Sequence, residues 1–550
     1  MTLHEQPKTH PRGKHRVMVI GLDSADPDLV LRWSQEGRLP FLHSLMQSGV
    51  WTRLISTHDL FNDSPWPTFN SGVSPGKHGF YNHIQFRRGT TEIFRGDARS
   101  CHYLPFWWLL RGAGKKVAVF DVPKTYPLPG IDGVQIIAWG EHYPLLKQSS
   151  LPAAIAQELT ARFGRYPHPP EVTTPKRISQ ETRLYETYLR NMERKLQATQ
   201  FLLAQDDWDL FFSVFAEAHY AGHQLYHHFD PNHWAHEASR AARLGEALPQ
   251  TYTRLDTALA AFLRSLPEET TLFLVSVHGI ATNYSGNHLM PTVLEKLGFQ
   301  KPPSSGGNGN GGKAPAWDWT RTLREALPDA VRAFINERLV PESFHDKMHA
   351  RQFAGSIDWR KTTAFFLPSD HFQGFISINL KGREPWGTVG RGAEYDEVCN
   401  QLSYELKRLM NPDTGRSAVQ GVVQVDKVYS GAKLYDLPDL VVQWAEDGPI
   451  KRLYHPTFGV IADEQFQLRK AQHSSEGFLI AAGKHIKKGA VLTGASTMDL
   501  APTVLYLMGQ TVPRDMDGKV LLDLLNDDFT QNTPVRYGDL PLVAPQEMRL

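Results

Sequence analysis

Asp209-Leu210-Phe211-Phe212-Ser213-Val214-Phe215, with His219 four residues past its end and His223 four further on, is the stretch on which the fold turns. An apolar run of that length reads as a buried strand handing over to a loop or helix. If the following segment is helical, residues four apart share a face, so both imidazoles can converge on one ion. Two other histidines stand in comparable places. His278, in Ser276-Val277-His278-Gly279, follows the apolar run 271–275, and His473, in Ala471-Gln472-His473, precedes the run 478–482. Loops at strand ends deliver ligands in this way in an open α/β sheet, which predicts a metal site.

Outward from that stretch, short apolar runs alternate with amphipathic segments, the pattern of a mostly parallel sheet covered by helices. Residues 16–20 read as the first strand, ending at Gly21-Leu22-Asp23, with a helix behind it over 40–47. Residues 116–121 read as another strand, followed by Val122-Pro123-Lys124-Thr125-Tyr126-Pro127, whose prolines enforce an extended turn. Residues 180–205 have helical spacing without Gly or Pro and should pack outside the sheet. The run Ser304-Ser305-Gly306-Gly307-Asn308-Gly309-Asn310-Gly311-Gly312 reads as a flexible linker, and the charged helical segment 317–359 as a cap before the sheet resumes at 374–380. The expected organisation is a flexible N-terminus (1–14), a first core part (15–300), a linker and cap (301–365), a second core part (366–530) and a tail (531–550).

Composition excludes more than it selects. At 550 residues, 41% hydrophobic and 21% charged, the chain has ordinary globular usage and enough length for a large core. A net charge of +1 offers no electrostatic capture of nucleic acid or of an anionic membrane. Two cysteines, Cys101 and Cys399, make a disulfide framework improbable and fit a reducing compartment. The basic, proline-containing start lacks the apolar core of a signal peptide, and no apolar run is long enough to span a bilayer. The expectation is a cytoplasmic protein acting on a small anionic substrate, with no nucleic-acid or membrane partner. Oligomeric state is not legible.

A resemblance rests on motifs in chain order. Gly21-Leu22-Asp23, Gly37-Arg38-Leu39-Pro40, Trp66, Ser71-Gly72-Val73-Ser74-Pro75-Gly76-Lys77-His78-Gly79-Phe80, residues 122–127, 378–384, Pro438-Asp439-Leu440-Val441, Met498-Asp499-Leu500-Ala501-Pro502-Thr503 and Asp517-Gly518 together resemble the alkaline phosphatase superfamily, in its type I phosphodiesterase and nucleotide pyrophosphatase branch. They span roughly residues 15–525, apart from the linker and cap. The resemblance implies an alkaline-phosphatase-like α/β fold, a mostly parallel central sheet flanked by helices with an inserted cap. It also implies a two-zinc site with a Thr or Ser nucleophile, three aspartates and three histidines.

Carried over by position, the resemblance places Asp23, His223, His278 and His473 on four of the six ligand positions. Three positions depart from it. His219 stands in place of an aspartate, Val277 in place of the aspartate of an Asp-His pair, and Asn62 in place of the nucleophile. A shift of two would put Ser64 at the nucleophile position instead, and Thr68 is a more distant candidate. His219, His223 and His473 then form three neutral nitrogen ligands with an open fourth position, a set that suits a catalytic zinc and also accepts iron or another divalent metal. The neighbouring berth keeps only Asp23, His278 and the Asn62 amide. With two negative charges gone, a pair of dications about 4 Å apart is poorly offset, so one tightly bound ion is expected.

These changes redirect the chemistry. An amide is not a nucleophile, so Asn62 cannot form a covalent intermediate, but it can donate a hydrogen bond to a developing oxyanion. Direct attack by metal-bound hydroxide is the expected route, with Asp23 and His278 as base and acid. Each assignment has a plainer competitor: a polar loop for His219 and His223 beside His227 and His228, a helix cap for Asp23, and strand packing for Val277. Lys77 and His78 can merely cap a helix, and Arg383-Glu384 is read as structural. Three function classes stay open: a metal-dependent hydrolase or transferase of phosphate or related anionic esters, other chemistry at a three-histidine metal, and a non-catalytic ligand-binding descendant.

Overall fold

The computed structural model describes residues 15–142, 144–167, 177–264, 266–303, 342–369, 372–463 and 469–543. Its centre is an eight-stranded sheet of β1 (Arg16–Leu22), β2 (Val50–Ile55), β3 (Val117–Phe120), β4 (Gly133–Ile137), β5 (Ser149–Leu151), β6 (Leu210–Phe215), β7 (Thr270–Ser276) and β8 (Glu476–Gly483), in the order β2-β8-β7-β1-β6-β3-β4-β5. The five inner strands, β7-β1-β6-β3-β4, run parallel, and β8 and β5 join them antiparallel. The sheet is therefore mostly parallel, and its inner strands are apolar on both faces because both are covered.

Alternation along β1 separates the two cores. Met18, Ile20 and Leu22 face one layer with Trp33 and Leu255, while Val17 and Val19 face the other with Phe69, Val504 and Leu505. The first layer is supplied by α1 (Pro27–Gln35), α2 (Pro40–Ser48), α4 (Ile178–Leu203), α5 (Glu217–Phe229) and α6 (Ala247–Leu263). The second is supplied by α3 (Pro65–Ser71) and α7 (Leu500–Leu507). Gly21 is required in β1 because a Cβ there would lie 2.7 Å from both the Trp66 ring and Val214, so its absence lets α3 close on the strand. Asp26 caps α1, accepting from the backbone N–H of Asp28 and Leu29 at 3.0 Å each.

Between the paired strands Ala281–Thr282 and Ala471–Gln472 the chain leaves the central body and returns. Residues 374–378 do not resume the central sheet, as the apolar pattern had suggested. They form the second strand of a separate four-stranded antiparallel sheet, ordered Ala364–Leu367, Gly374–Ile378, Leu440–Trp444, Val419–Gln424. Periodicity reports that a strand is buried but not which sheet it joins, and the central sheet regains the chain only at β8. Arg383 lies at this inserted sheet, paired with Asp439 at 2.7 Å and with Glu384 at 2.8 Å. Glu384 also pairs with Arg88 at 2.8 Å, so these charges hold the insertion to the first part of the chain.

The glycine-rich linker, most of the expected cap and residues 1–14 lie outside the described residues. The part of the cap that is described is the helix Glu342–Gly355, followed by Trp359, whose ring packs against Phe86 and Phe365. Among the described residues no helix is long and apolar enough to cross a membrane.

Candidate metal centre

The carboxyl ends of the parallel strands converge on one spot, the crevice where open α/β sheets place their ligands. β1 ends at Asp23, β6 leads through one residue into α5 with its His219 and His223, and β7 leads to His278. The short pairing of 281–282 with 471–472 brings His473 beside β7 from the far side of the insertion. The strand-to-helix reading of 209–223 is what the structure contains, and it puts both histidines on one buried face of α5.

The three imidazoles His219, His223 and His473 meet there, with ring centroids 4.6 to 4.9 Å apart and each ring buried. Their ligand-capable nitrogens lie within 4.8 Å of one another. His223 Nδ1 donates to the carbonyl of Ala471 at 2.9 Å, which fixes the tautomer and leaves Nε2 with a lone pair. That Nε2 stands 3.0 Å from His473 Nε2. Two tetrahedral ligands about 2.0 to 2.1 Å from one zinc are separated by roughly 3.3 Å, so the spacing fits shared coordination. Burial, reinforced by the charge of Arg469 and by His219, holds His223 well below the usual imidazole range, hence neutral as a ligand must be.

His219 turns its other nitrogen the opposite way. Nδ1 lies 2.7 Å from Ser24 Oγ and 3.3 Å from Asp23 Oδ2, the arrangement in which a carboxylate and a hydroxyl orient a metal-binding ring. Ser24 Oγ also lies 3.2 Å from His278 Nδ1, tying the two rings together from a left-handed backbone position, φ 54°. His278 stacks on His473 at 4.1 Å, with its Nε2 3.8 Å from Asp23 Oδ1. Burial lowers the His278 imidazole to about 4 against the pull of Asp23, so the ring is neutral at neutral pH.

Asp23 is fully buried. Its Oδ1 accepts from the Trp66 indole N–H at 2.8 Å, and its Oδ2 touches His142 Nδ1. Burial alone would raise this carboxyl, but the His142 charge and contact, followed by those of His219, hold it well below the carboxylate range. Asn62 is buried in the turn that leads into α3, the helix whose Trp66 reaches Asp23. The two alternative hydroxyls are committed elsewhere. Ser64 donates to the Phe61 carbonyl at 2.7 Å and pairs with Thr57 at 2.6 Å, while Thr68 pairs with His78 Nε2 at 3.0 Å. Val277 is fully buried in the second apolar layer with Val275.

His142 and Ser24 were not singled out from the sequence. His142 was within reach, since it follows the apolar strand β4 just as His278 follows β7. Nothing in the sequence marks Ser24, because its role comes from a backbone turn that aims its hydroxyl between two rings. His227 and His228, close to His223 in the chain, face elsewhere. His228 lies 3.2 Å from Glu181, which also pairs with Arg240 at 3.0 Å, and Lys470 donates to His227 Nε2 at 2.8 Å. Arg240 and Lys470 border that cluster, in which ligand atoms of Glu181, His227 and His228 also lie within 4.8 Å of one another.

A family model described as type I phosphodiesterase / nucleotide pyrophosphatase matches residues 17–449. A comparison with curated proteins gave no match. Among solved structures, the chain is similar to murine ectonucleotide pyrophosphatase / phosphodiesterase 5 in an inactive form with AMP, at 13% identity and a TM-score of 0.44, covering 93% of this chain and 100% of that one. It is similar to phosphonoacetate hydrolase from Sinorhizobium meliloti 1021 in complex with phosphonoacetate, at 13% identity and a TM-score of 0.45, covering 90% and 95%. It is also similar to the alkaline phosphatase PafA, at 14% identity and a TM-score of 0.49, covering 94% and 100%.

Proposed function

Because the chain belongs to the type I phosphodiesterase / nucleotide pyrophosphatase family, matched over residues 17–449, we propose that it hydrolyses or transfers a phosphate ester or a related small anionic ester at a site holding one metal ion through His219, His223 and His473. The observation that carries this reading is the convergence of three buried imidazoles, with the Nε2 atoms of His223 and His473 3.0 Å apart and His223 held neutral. A divalent ion there, zinc first by its ligand set, would supply Lewis acidity for an ester oxygen and acidify a water.

The chain's own groups do the rest. Asp23 and Ser24 orient His219, and the Ala471 carbonyl orients His223. His278, neutral and buried at the same crevice 3.8 Å from Asp23, is the group expected to exchange a proton with the reacting ester. Asn62 presents an amide in place of a hydroxyl, so no covalent ester with the protein forms at that position and the amide serves as a donor to developing negative charge. Cys101 and Cys399 are buried and not joined in a disulfide, which supports the expectation of a cytoplasmic setting.

Metal content per chain, combined with a panel of phosphomonoesters, phosphodiesters and sulfate esters, tests this reading. One equivalent of ion that falls below about half in both His223→Ala and His473→Ala, with turnover of at least one phosphate ester, is expected. Full metal content in both variants removes the three-histidine site. A folded, metal-loaded protein silent on the whole panel points instead to other chemistry or to a ligand-binding protein.

A further inference from the structure

The spacing of four that sets His219 and His223 on α5 continues to His227, one turn beyond the metal centre, and its partner is a lysine from the far side of the insertion. Lys470 Nζ donates to His227 Nε2 at 2.8 Å. Burial, and after it the charge of Lys470, lowers that imidazole to about 2, so its ring is neutral and offers the ammonium a lone pair. Glu181 Oε1 lies 3.9 Å from the same Nε2, which sets a carboxylate near the ammonium. Lys470 stands three residues before His473. Its carbonyl accepts the Asn283 N–H at 3.0 Å and lies 3.0 Å from His233 Nε2, and the next carbonyl, that of Ala471, takes His223 Nδ1 at 2.9 Å.

The strand that delivers His473 is only two residues long, Ala471–Gln472 paired with Ala281–Thr282, and a two-stranded ladder of that length is marginal by itself. Side-chain ties must therefore hold it. From this arrangement we infer that Lys470 and His227 form a clasp that fixes His473 in register with His219 and His223. The inference rests on the three-histidine reading and adds to it a residue that touches no ion. Lys470 is a positioning residue, acting through the backbone of 470–473. Because α5 supplies both the acceptor of the clasp and two of the three imidazoles, one helix sets the distance between the two halves of the site. An outer partner of this kind carries part of the metal affinity although it binds no metal.

Cobalt(II) affinity of the full chain, from competition with a chelator, and the visible spectrum of the bound ion provide the test. Lys470→Met, which keeps the stem and removes the donor, should bind cobalt at least about tenfold more weakly with an altered visible band, and Lys470→Arg should return to within about threefold of the wild type. His227→Phe should lose as much as Lys470→Met, and the double variant no more than either, because the same contact is removed in all three. Wild-type affinity and spectrum in Lys470→Met overturn the inference, as do losses that add in the double variant. So does an ion that His228→Ala releases and His473→Ala keeps, which would make Glu181, His227 and His228 a metal site of their own. Should Lys470→Met lack the native circular dichroism spectrum, Lys470→Ala is read by the same criteria. Failure of the three-histidine reading is separate, because it shows as full cobalt affinity in His473→Ala.

Discussion

At the scale of single residues, the histidine cluster is oriented by hydrogen bonds to the ring nitrogens. Ser24 bridges His219 Nδ1 at 2.7 Å and His278 Nδ1 at 3.2 Å, so one hydroxyl sets the direction of two rings. Ser24→Ala is expected to weaken metal binding about 10- to 100-fold, the usual cost of removing an orienting partner, measured by competition with a chromogenic chelator. An affinity within a factor of two of the wild type would mean that the rings orient themselves. Asn62 supports a different prediction. If its amide donates to charge that develops only in the transition state, Asn62→Ala lowers kcat by about 100-fold with KM nearly unchanged. A matched rise in KM with constant kcat would instead make Asn62 a ground-state contact.

At the scale of elements, a buried histidine ties α3 to the short helix Pro75–His78. His78 is fully buried, its Nδ1 accepting the Phe80 N–H at 3.1 Å and its Nε2 paired with Thr68 at 3.0 Å. Burial lowers this imidazole to about 3. Between roughly pH 3 and the unfolded value near 6.5, the unfolded chain binds the proton that the folded chain refuses, so stability rises with pH across that window. The contribution is complete above about 6.5 and is lost as pH falls toward 3, at up to about 1.4 kcal/mol per pH unit. His78→Gln should flatten that part of the urea-derived stability profile. A profile as steep as that of the wild type would assign the acid sensitivity to other buried histidines, such as His227, which burial lowers to about 2.

At the scale of the whole molecule, the insertion is joined to the first part of the chain by the Arg88–Glu384 pair and by an apolar cluster in which Phe61, Tyr81 and Phe86 meet Phe365, Phe375 and Val441, and it is braced within by buried charge. Asp439 pairs with Arg383 at 2.7 Å, accepts the Ile378 N–H at 2.7 Å and is nearly inaccessible. Removing Asp439 leaves two buried guanidinium groups, Arg383 and Arg88, to share Glu384. Asp439→Ala should cost about 3 to 5 kcal/mol, seen as a lower midpoint in urea unfolding. A loss under 1 kcal/mol would show that the insertion relaxes to hydrate Arg383. We propose further that the inserted unit unfolds separately from the central sheet, which hydrogen exchange would report as two groups of protected amides rather than one.

Much of the fold is legible in the sequence alone. The apolar runs 16–20, 116–121, 209–215 and 271–275 are buried strands because a strand covered on both faces must be apolar throughout, and that rule acts locally along the chain. The places of Asp23, His219, His223 and His278 at strand ends follow from the same rule. Sheet membership was not legible, because 374–378 is as apolar as a central strand and only its antiparallel partners at 364–367 and 440–444 say which sheet it enters. Nor was the company that Asp23 keeps. His142, Trp66 and His219 lie 119, 43 and 196 positions away in the chain, and they meet its carboxylate only because β1 is central, α3 closes over Gly21, and β4 and β6 end on the same edge of the sheet. The one-dimensional pattern determined which residues are buried and which strand ends carry the candidate aspartate and histidines. Packing in three dimensions decided which groups touch, because contact depends on strand order and ring orientation, which no local periodicity encodes.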